Sequence, residues 1–148
     1  MMLATIASAT ETDADAIRAQ LRAFNRRTVG EIAFEPVAFV ARDASGALVG
    51  GVVGDVYLDW FALDVLWVHA SQRGNGLGSA LLERAERAAI GFGARSVMLD
   101  TFDWQAESFY LKRGYREFGR LDDFPVGHSR VFLRKALVTE SGSPAAPT

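Results

Sequence analysis

A chain of 148 residues with 49% apolar and 23% charged side chains has the size and composition of one globular domain with a sizeable core. A net charge of −2 leaves no footprint for nucleic acid or an anionic membrane, and the lack of cysteine excludes a disulfide scaffold and thiol catalysis. With two histidines no metal site is expected, and without a membrane-length apolar run or a basic region ahead of an apolar block the expected location is cytoplasmic.

Residues 2–8 carry a weak strand pattern. Asp13 suits the N-cap of a helix reaching about Arg27, with Ile17, Leu21 and Phe24 on one face. Residues 37–42 and 47–57 are predicted strands joined by Asp43-Ala44-Ser45-Gly46, a hairpin turn. Gly50, Gly51 and Gly54 mark the second of these as a site of bulging or close backbone approach. Residues 60–68 are apolar except for Asp64, the pattern of a central strand covered on both faces. A helix over residues 79–92 follows, burying Leu81, Leu82, Ala85, Ala88 and Ala89. Gly91 and Gly93 stop it, and residues 96–101 form the next strand. A short helix over 106–113 closes at Gly114, and residues 115–120 and 130–135 form a last antiparallel pair. The order predicts a mixed α/β sheet in one domain, residues 1–139, with a disordered Ser/Pro/Gly/Ala-rich tail over 140–148.

Between the apolar strand and the helix lies Arg73-Gly74-Asn75-Gly76-Leu77-Gly78. Glycines there bare backbone N–H groups at the positive end of a helix, which makes an anion cradle suited to phosphate. A nucleoside-triphosphate loop would need lysine and Ser/Thr after its last glycine, but Gly78 is followed by Ser79 and Ala80. A dinucleotide loop counted from Gly74 would need a third glycine or alanine where Ser79 stands, although Asp100 lies about 20 residues on, where a ribose-binding acid would sit. The pattern Arg/Gln-x-x-Gly-x-Gly/Ala is met by Arg73, Gly76 and Gly78.

That loop resembles the pyrophosphate loop of the GNAT N-acetyltransferase superfamily. The resemblance extends to Asp64-Val65-Leu66-Trp67-Val68 before the loop and to Phe109-Tyr110-Leu111-Lys112-Arg113-Gly114-Tyr115, which matches an F-Y-x-x-x-G-F/Y signature. It covers about residues 60–115 and implies a mostly antiparallel sheet with splayed central strands flanked by helices. It also implies transfer of acetyl from acetyl-coenzyme A to a primary amine, with no metal. By resemblance, the coenzyme's pyrophosphate would rest on Arg73, Gly74, Asn75, Gly76, Leu77, Gly78 and Ser79, and its pantetheine arm and thioester on the backbone of Leu66, Trp67 and Val68. Tyr110 aligns with the family's usual general acid, which serves the departing thiolate; as a residue alone it is equally a packing aromatic. Phe109 is expected in the core.

Asp64 stands where several family members carry an acidic base, and shares a strand face with Ala62, Leu66 and Val68; an exposed strand-edge charge is its other reading. Asp100 is a second candidate base. Where many members carry an asparagine for the pantetheine arm, this chain has Asp103, which suits an N-cap, and Gln105 could supply the amide instead. Asp122, Asp123 and His128 lie in a loop that often borders the acceptor, and read equally as a solvated turn. Phe102 is expected in the core and Trp104 along an apolar pocket wall. Two other functions fit parts of the sequence: a non-catalytic sensor or interaction module that binds coenzyme A, and a small nicotinamide-binding module. The resemblance implies acetyl-coenzyme A and an amine as partners, neither nucleic acid nor membrane, and a possible homodimer.

Overall fold

The structure is a computed structural model that describes Met2 and residues 4–138. The tail predicted over 140–148 lies outside the described residues. The chain forms two compact units, divided between Ala33 and Phe34.

The first unit holds helix α1, Glu11–Val29, and none of its residues is buried. Thr10, not Asp13, is the N-cap: its hydroxyl accepts from Asp13 N–H at 3.1 Å, and its own N–H donates to the Asp13 carboxylate at 2.9 Å. This reciprocal pair satisfies two otherwise orphaned donors and moves the helix start ahead of the expected one. The described residues of 2–8 form no strand.

The second unit is a six-stranded sheet. Its strands are β1 Glu35–Arg42, β2 Leu48–Tyr57, β3 Trp60–Val68, β4 Ser96–Phe102, β5 Arg116–Asp122 and β6 Ser129–Ala136, in the order β1-β2-β3-β4-β6-β5. All neighbours are antiparallel except β3 and β4. Helix α2, Leu77–Gly91, forms the crossover between that parallel pair, and the short helix α3, Glu107–Leu111, follows β4. The Asp43 carboxylate closes the first hairpin by accepting from Ser45 N–H at 2.9 Å and Ala47 N–H at 3.0 Å.

The core lies on one face of the sheet, where Val52, Phe61, Val97, Val131 and Leu133 meet Leu82, Ala85 and Ala89 of α2. The expectation that β3 is covered on both faces is not met: Asp64, Val65 and Trp67 are exposed. A continuous apolar run therefore marks a strand whose second face is left open. Among the described residues no helix is long and apolar enough to cross a membrane. One buried polar network crosses the core layer. The Tyr115 hydroxyl donates to Glu86 at 3.0 Å and Lys135 Nζ pairs with the same carboxylate at 3.0 Å, which ties α2 to the segment before β5 and to β6. Burial, the Glu86 charge and the hydrogen bond to Glu86 all push the Tyr115 hydroxyl pKa well up.

Candidate active site

Three features converge where β3 and β4 end. The first is the loop between β3 and α2. His69 N–H donates to Val49 O at 2.8 Å, and the His69 ring accepts from Ser71 N–H at 3.1 Å, which starts a single 3₁₀ turn, Ala70–Gln72. Gly74 and Gly76 then take φ of +81° and +87°, a region costly to any residue with a Cβ. Gly76 is the N-cap of α2, and Ala80 N–H closes the first helical bond to its carbonyl at 3.0 Å. The N–H groups of Leu77, Gly78 and Ser79 thus stand at the positive helix end without intrahelical partners. Arg73 folds back, its Nε donating to Val68 O at 3.1 Å, and the Asn75 amide reaches Gln72 at 3.4 Å. The Leu77 side chain packs against the core, which leaves its backbone as the part that faces an anion.

The second feature is a divergence of strands. β3 and β4 share only three rungs, Trp60 with Ser96, Phe61 with Val97 and Ala62 with Met98. Beyond them the strands part, so residues 63–68 have no ladder partner on the β4 side. A bulge in β3 sits at this point: Val53 pairs with Val65 and Gly54 with Leu63, which leaves Asp64 as the extra residue. Gly54 permits this, because a Cβ there would stand 2.5 Å from both Ala62 O and the Phe61 ring. The bulge also shifts the alternation of side chains. Leu63 faces the core before it, while Leu66 and Val68 pack against the core after it. Asp64 therefore does not share a face with Leu66 and Val68, contrary to the expectation from a regular strand. Its carboxylate is exposed and makes no hydrogen bond among the described residues.

The third is α3, which lies against the start of α2. A Cβ on Gly78 would meet the Phe109 ring at 3.3 Å and Val68 at 3.6 Å, so glycine here sets the closeness of α2, β3 and α3. Phe109 is partly buried against the core, as expected. Arg113 joins the two helices: its Nε donates to the Ser79 hydroxyl at 3.1 Å, another N–H donates to Phe109 O at 2.9 Å, and the guanidinium lies 3.7 Å from the Phe109 ring centroid. Ser79 thus anchors Arg113 through its hydroxyl oxygen and keeps its backbone N–H and its O–H as donors for an anion. No local pattern signals this pair, whose members are 34 residues apart. Tyr110 is 5% exposed, and its hydroxyl has no hydrogen-bond partner among the described residues. No buried side-chain polar atom is left unpaired among them either, so this hydroxyl sits at the solvent edge of a buried ring. Burial pushes its pKa up to about 12, which keeps the phenol protonated throughout neutral pH.

Past the end of β4 the remaining expected residues are largely engaged. Asp100 is paired with Arg130 Nε at 2.8 Å. The Gln105 carbonyl accepts from Phe102 N–H at 2.9 Å, so its acceptor serves the turn and only its NH₂ remains for a ligand. Asp103 is not an N-cap, since Ala106 holds that position in α3. Its carboxylate instead takes hydrogen bonds from His128 Nδ1 and Ser129 N–H, both at 2.9 Å. Burial works to raise its pKa, and the bonds from His128 and Ser129 outweigh it and hold the carboxyl below its usual range. Phe102, expected in the core, stacks on Trp104 at 4.6 Å between centroids. Asp122 and Asp123 are used within their loop, accepting from Ser129 Oγ at 2.9 Å and Gly127 N–H at 3.2 Å. Among the described residues no cluster of three His, Cys, Asp or Glu suits a metal ion.

The arrangement has relatives. The profile of the Acetyltransferase (GNAT) family matches residues 4–115. The chain is 43% identical over 119 residues to the blasticidin-S acetyltransferase of Streptomyces morookaense, covering 79% of this chain and 88% of that protein. It is 30% identical over 120 residues to an acetyltransferase of Agrobacterium fabrum, covering 81% and 88%. The crystal structure of an acetyltransferase from Bacillus cereus superimposes with a TM-score of 0.85 at 36% identity, over 90% of this chain and 98% of that one. By this match and these identities, the chain belongs to the GNAT acetyltransferase family.

Proposed function

We propose that the protein transfers acetyl from acetyl-coenzyme A to the primary amine of a small molecule, of the antibiotic class named for its Streptomyces relative. The observation that carries this reading is the meeting of three elements: the glycine loop at the α2 N-terminus, the gap between β3 and β4, and the solvent-edge hydroxyl of Tyr110. The pyrophosphate binds the backbone of residues 73–79, and the pantetheine arm enters the gap beside Leu66, Trp67 and Val68. Backbone N–H groups on the unpaired side of β3 polarise the thioester carbonyl. The amine nitrogen attacks the carbonyl carbon, the C–S bond breaks, and Tyr110 donates a proton or hydrogen bond to the departing sulfur. Asp64, exposed at the bulge, accepts the proton that the amine sheds. Holding both reactants in line supplies much of the acceleration.

The test replaces Tyr110→Phe, which removes one oxygen and spares the ring packing. Loss of a general acid costs about 10²–10⁴-fold in kcat, with KM and coenzyme affinity unchanged. The assay reads free thiol release with blasticidin S, polyamines, amino sugars and amino acids as acceptors. Near-parental kcat in Tyr110→Phe, with chemistry limiting the rate, would return Tyr110 to a packing role. Coenzyme binding without turnover on any amine would favour the sensor reading.

A further inference from the structure

The cluster formed by residues 102–104 and 124–130 is firmly built. Asp103 N–H donates to Ser129 O at 3.0 Å, while the Asp103 carboxylate receives Ser129 N–H and His128 Nδ1. The loop carrying His128 closes on itself, with Phe124 N–H on His128 O at 3.0 Å and His128 N–H on Pro125 O at 2.9 Å. The imidazole stands edge-on to Trp104, 4.9 Å between centroids at 78°. Arg130, held by Asp100, backs the Phe102 and Phe124 rings at 5.8 and 5.2 Å. Trp104 and Phe124 nevertheless remain 54% and 42% exposed.

The carboxylate fixes the chemistry of the ring. An ionised Asp103 only accepts, so Nδ1 carries the proton and Nε2 of the neutral ring is a bare acceptor. That Nε2 has no partner among the described residues, and it stands beside exposed aromatic surface at the C-terminal end of β4, one wall of the gap between β3 and β4. A lone pair fixed beside an apolar wall recognises a flat group that carries a donor at its edge. We propose that this cluster is the acceptor-recognition subsite and that it takes amines bearing a planar ring with an N–H or O–H donor. The ring lies against Trp104 and Phe124, and its donor bonds His128 Nε2. The inference rests on the acetyl-transfer reading for the ligand's being the acceptor, and adds its chemical class.

The test measures calorimetric affinity of the coenzyme A-saturated protein for three benzylic primary amines at about pH 8. The amines are para-aminobenzylamine (donor-bearing), benzylamine (neither) and para-picolylamine (acceptor-bearing). Because no acetyl is transferred in this measurement, failure of turnover would overturn the proposed function without touching the subsite. The parent should bind para-aminobenzylamine about 3–10-fold more tightly than benzylamine, the worth of one neutral hydrogen bond. His128→Phe should remove that ratio. Asp103→Asn should reverse it: Ser129 N–H claims the amide oxygen, the amide NH₂ then faces Nδ1, and the ring's proton moves to Nε2, which now favours para-picolylamine. Equal affinities in the parent, or a ratio that survives His128→Phe, would overturn the subsite. So would a His128→Phe loss found only in kcat with a shifted pH profile, since His128 would then be a base.

Discussion

The two ends of the gap between β3 and β4 are made of different material. At the proposed coenzyme end, the ligand-facing groups are backbone N–H donors exposed by Gly74 and Gly76, whose positive φ no side chain could adopt cheaply. Side chains there turn inward: Arg73 caps Val68, Leu77 packs on the core and Ser79 holds Arg113. At the proposed acceptor end, the facing groups are side chains brought from two distant segments, Phe102, Asp103 and Trp104 against Phe124 and His128. A backbone site tolerates exchange of most side chains and fails when the main-chain path changes. A side-chain site has the opposite tolerance. One end therefore suits a ligand that stays the same, and the other suits one that varies among related enzymes.

Substitutions can break this contrast. Gly76→Val forces a residue with a Cβ into φ near +87° and should lower coenzyme affinity by roughly 10²–10⁴-fold, the loss of about two charge-assisted bonds. Asn75→Ala, beside it, should change affinity by less than about threefold, because only a weak contact to Gln72 is lost. Calorimetry with coenzyme A checks both, and a large loss in Asn75→Ala would mean that side chains make this end too. A second test concerns Tyr110, the buried tyrosine of α3. Its folded-state pKa, about 12, lies above the unfolded value of 10, so the unfolded chain releases its proton first. The corresponding stability is fully present below pH 10 and is lost as pH rises toward 12, by roughly 3 kcal/mol. Denaturant melts across that window should show a smaller loss in Tyr110→Phe than in the parent. A smaller effect than that of Gly76→Val is expected of Asp64→Asn, which should leave coenzyme affinity intact. It should slow turnover on the order of tenfold, most at low pH where the unaided amine is protonated. A parental pH–rate profile would remove Asp64 from proton transfer.

The same contrast explains what could be read from the sequence. The proposed coenzyme end is written in consecutive residues, because glycines that bare a helix end must be neighbours, so Arg73 to Gly78 forms a local pattern that a sequence can display. The strand β3, Trp60–Val68, matches the expected 60–68 because its apolar run is bounded on both sides. The bulge at Asp64 was not visible: it depends on pairing with Val53 and Gly54, and a glycine in a strand does not say which partner it makes room for. The Asp103–His128 and Arg113–Ser79 pairs were hidden for a similar reason. Each links segments 25 or more residues apart, and no local period joins them. Asp103 was assigned to a cap since local chemistry favours that use. The sheet's partner across the loop won instead.

The parting of β3 from β4 also bears on stability. Alternate N–H and C=O groups of residues 63–68 point into a gap that no protein strand fills, so the sheet is short of one segment of ladder. An extended ligand with amide groups of its own would complete that ladder and act as a structural member as well as a reactant. Its binding then shifts the folding equilibrium: at about 100 times its Kd a ligand adds about 2.7 kcal/mol. Amide hydrogen exchange over residues 63–68 would slow as the ligand enters, and the melting temperature would climb with its concentration, so the protein would be at its most durable in a cell well supplied with acetyl donor.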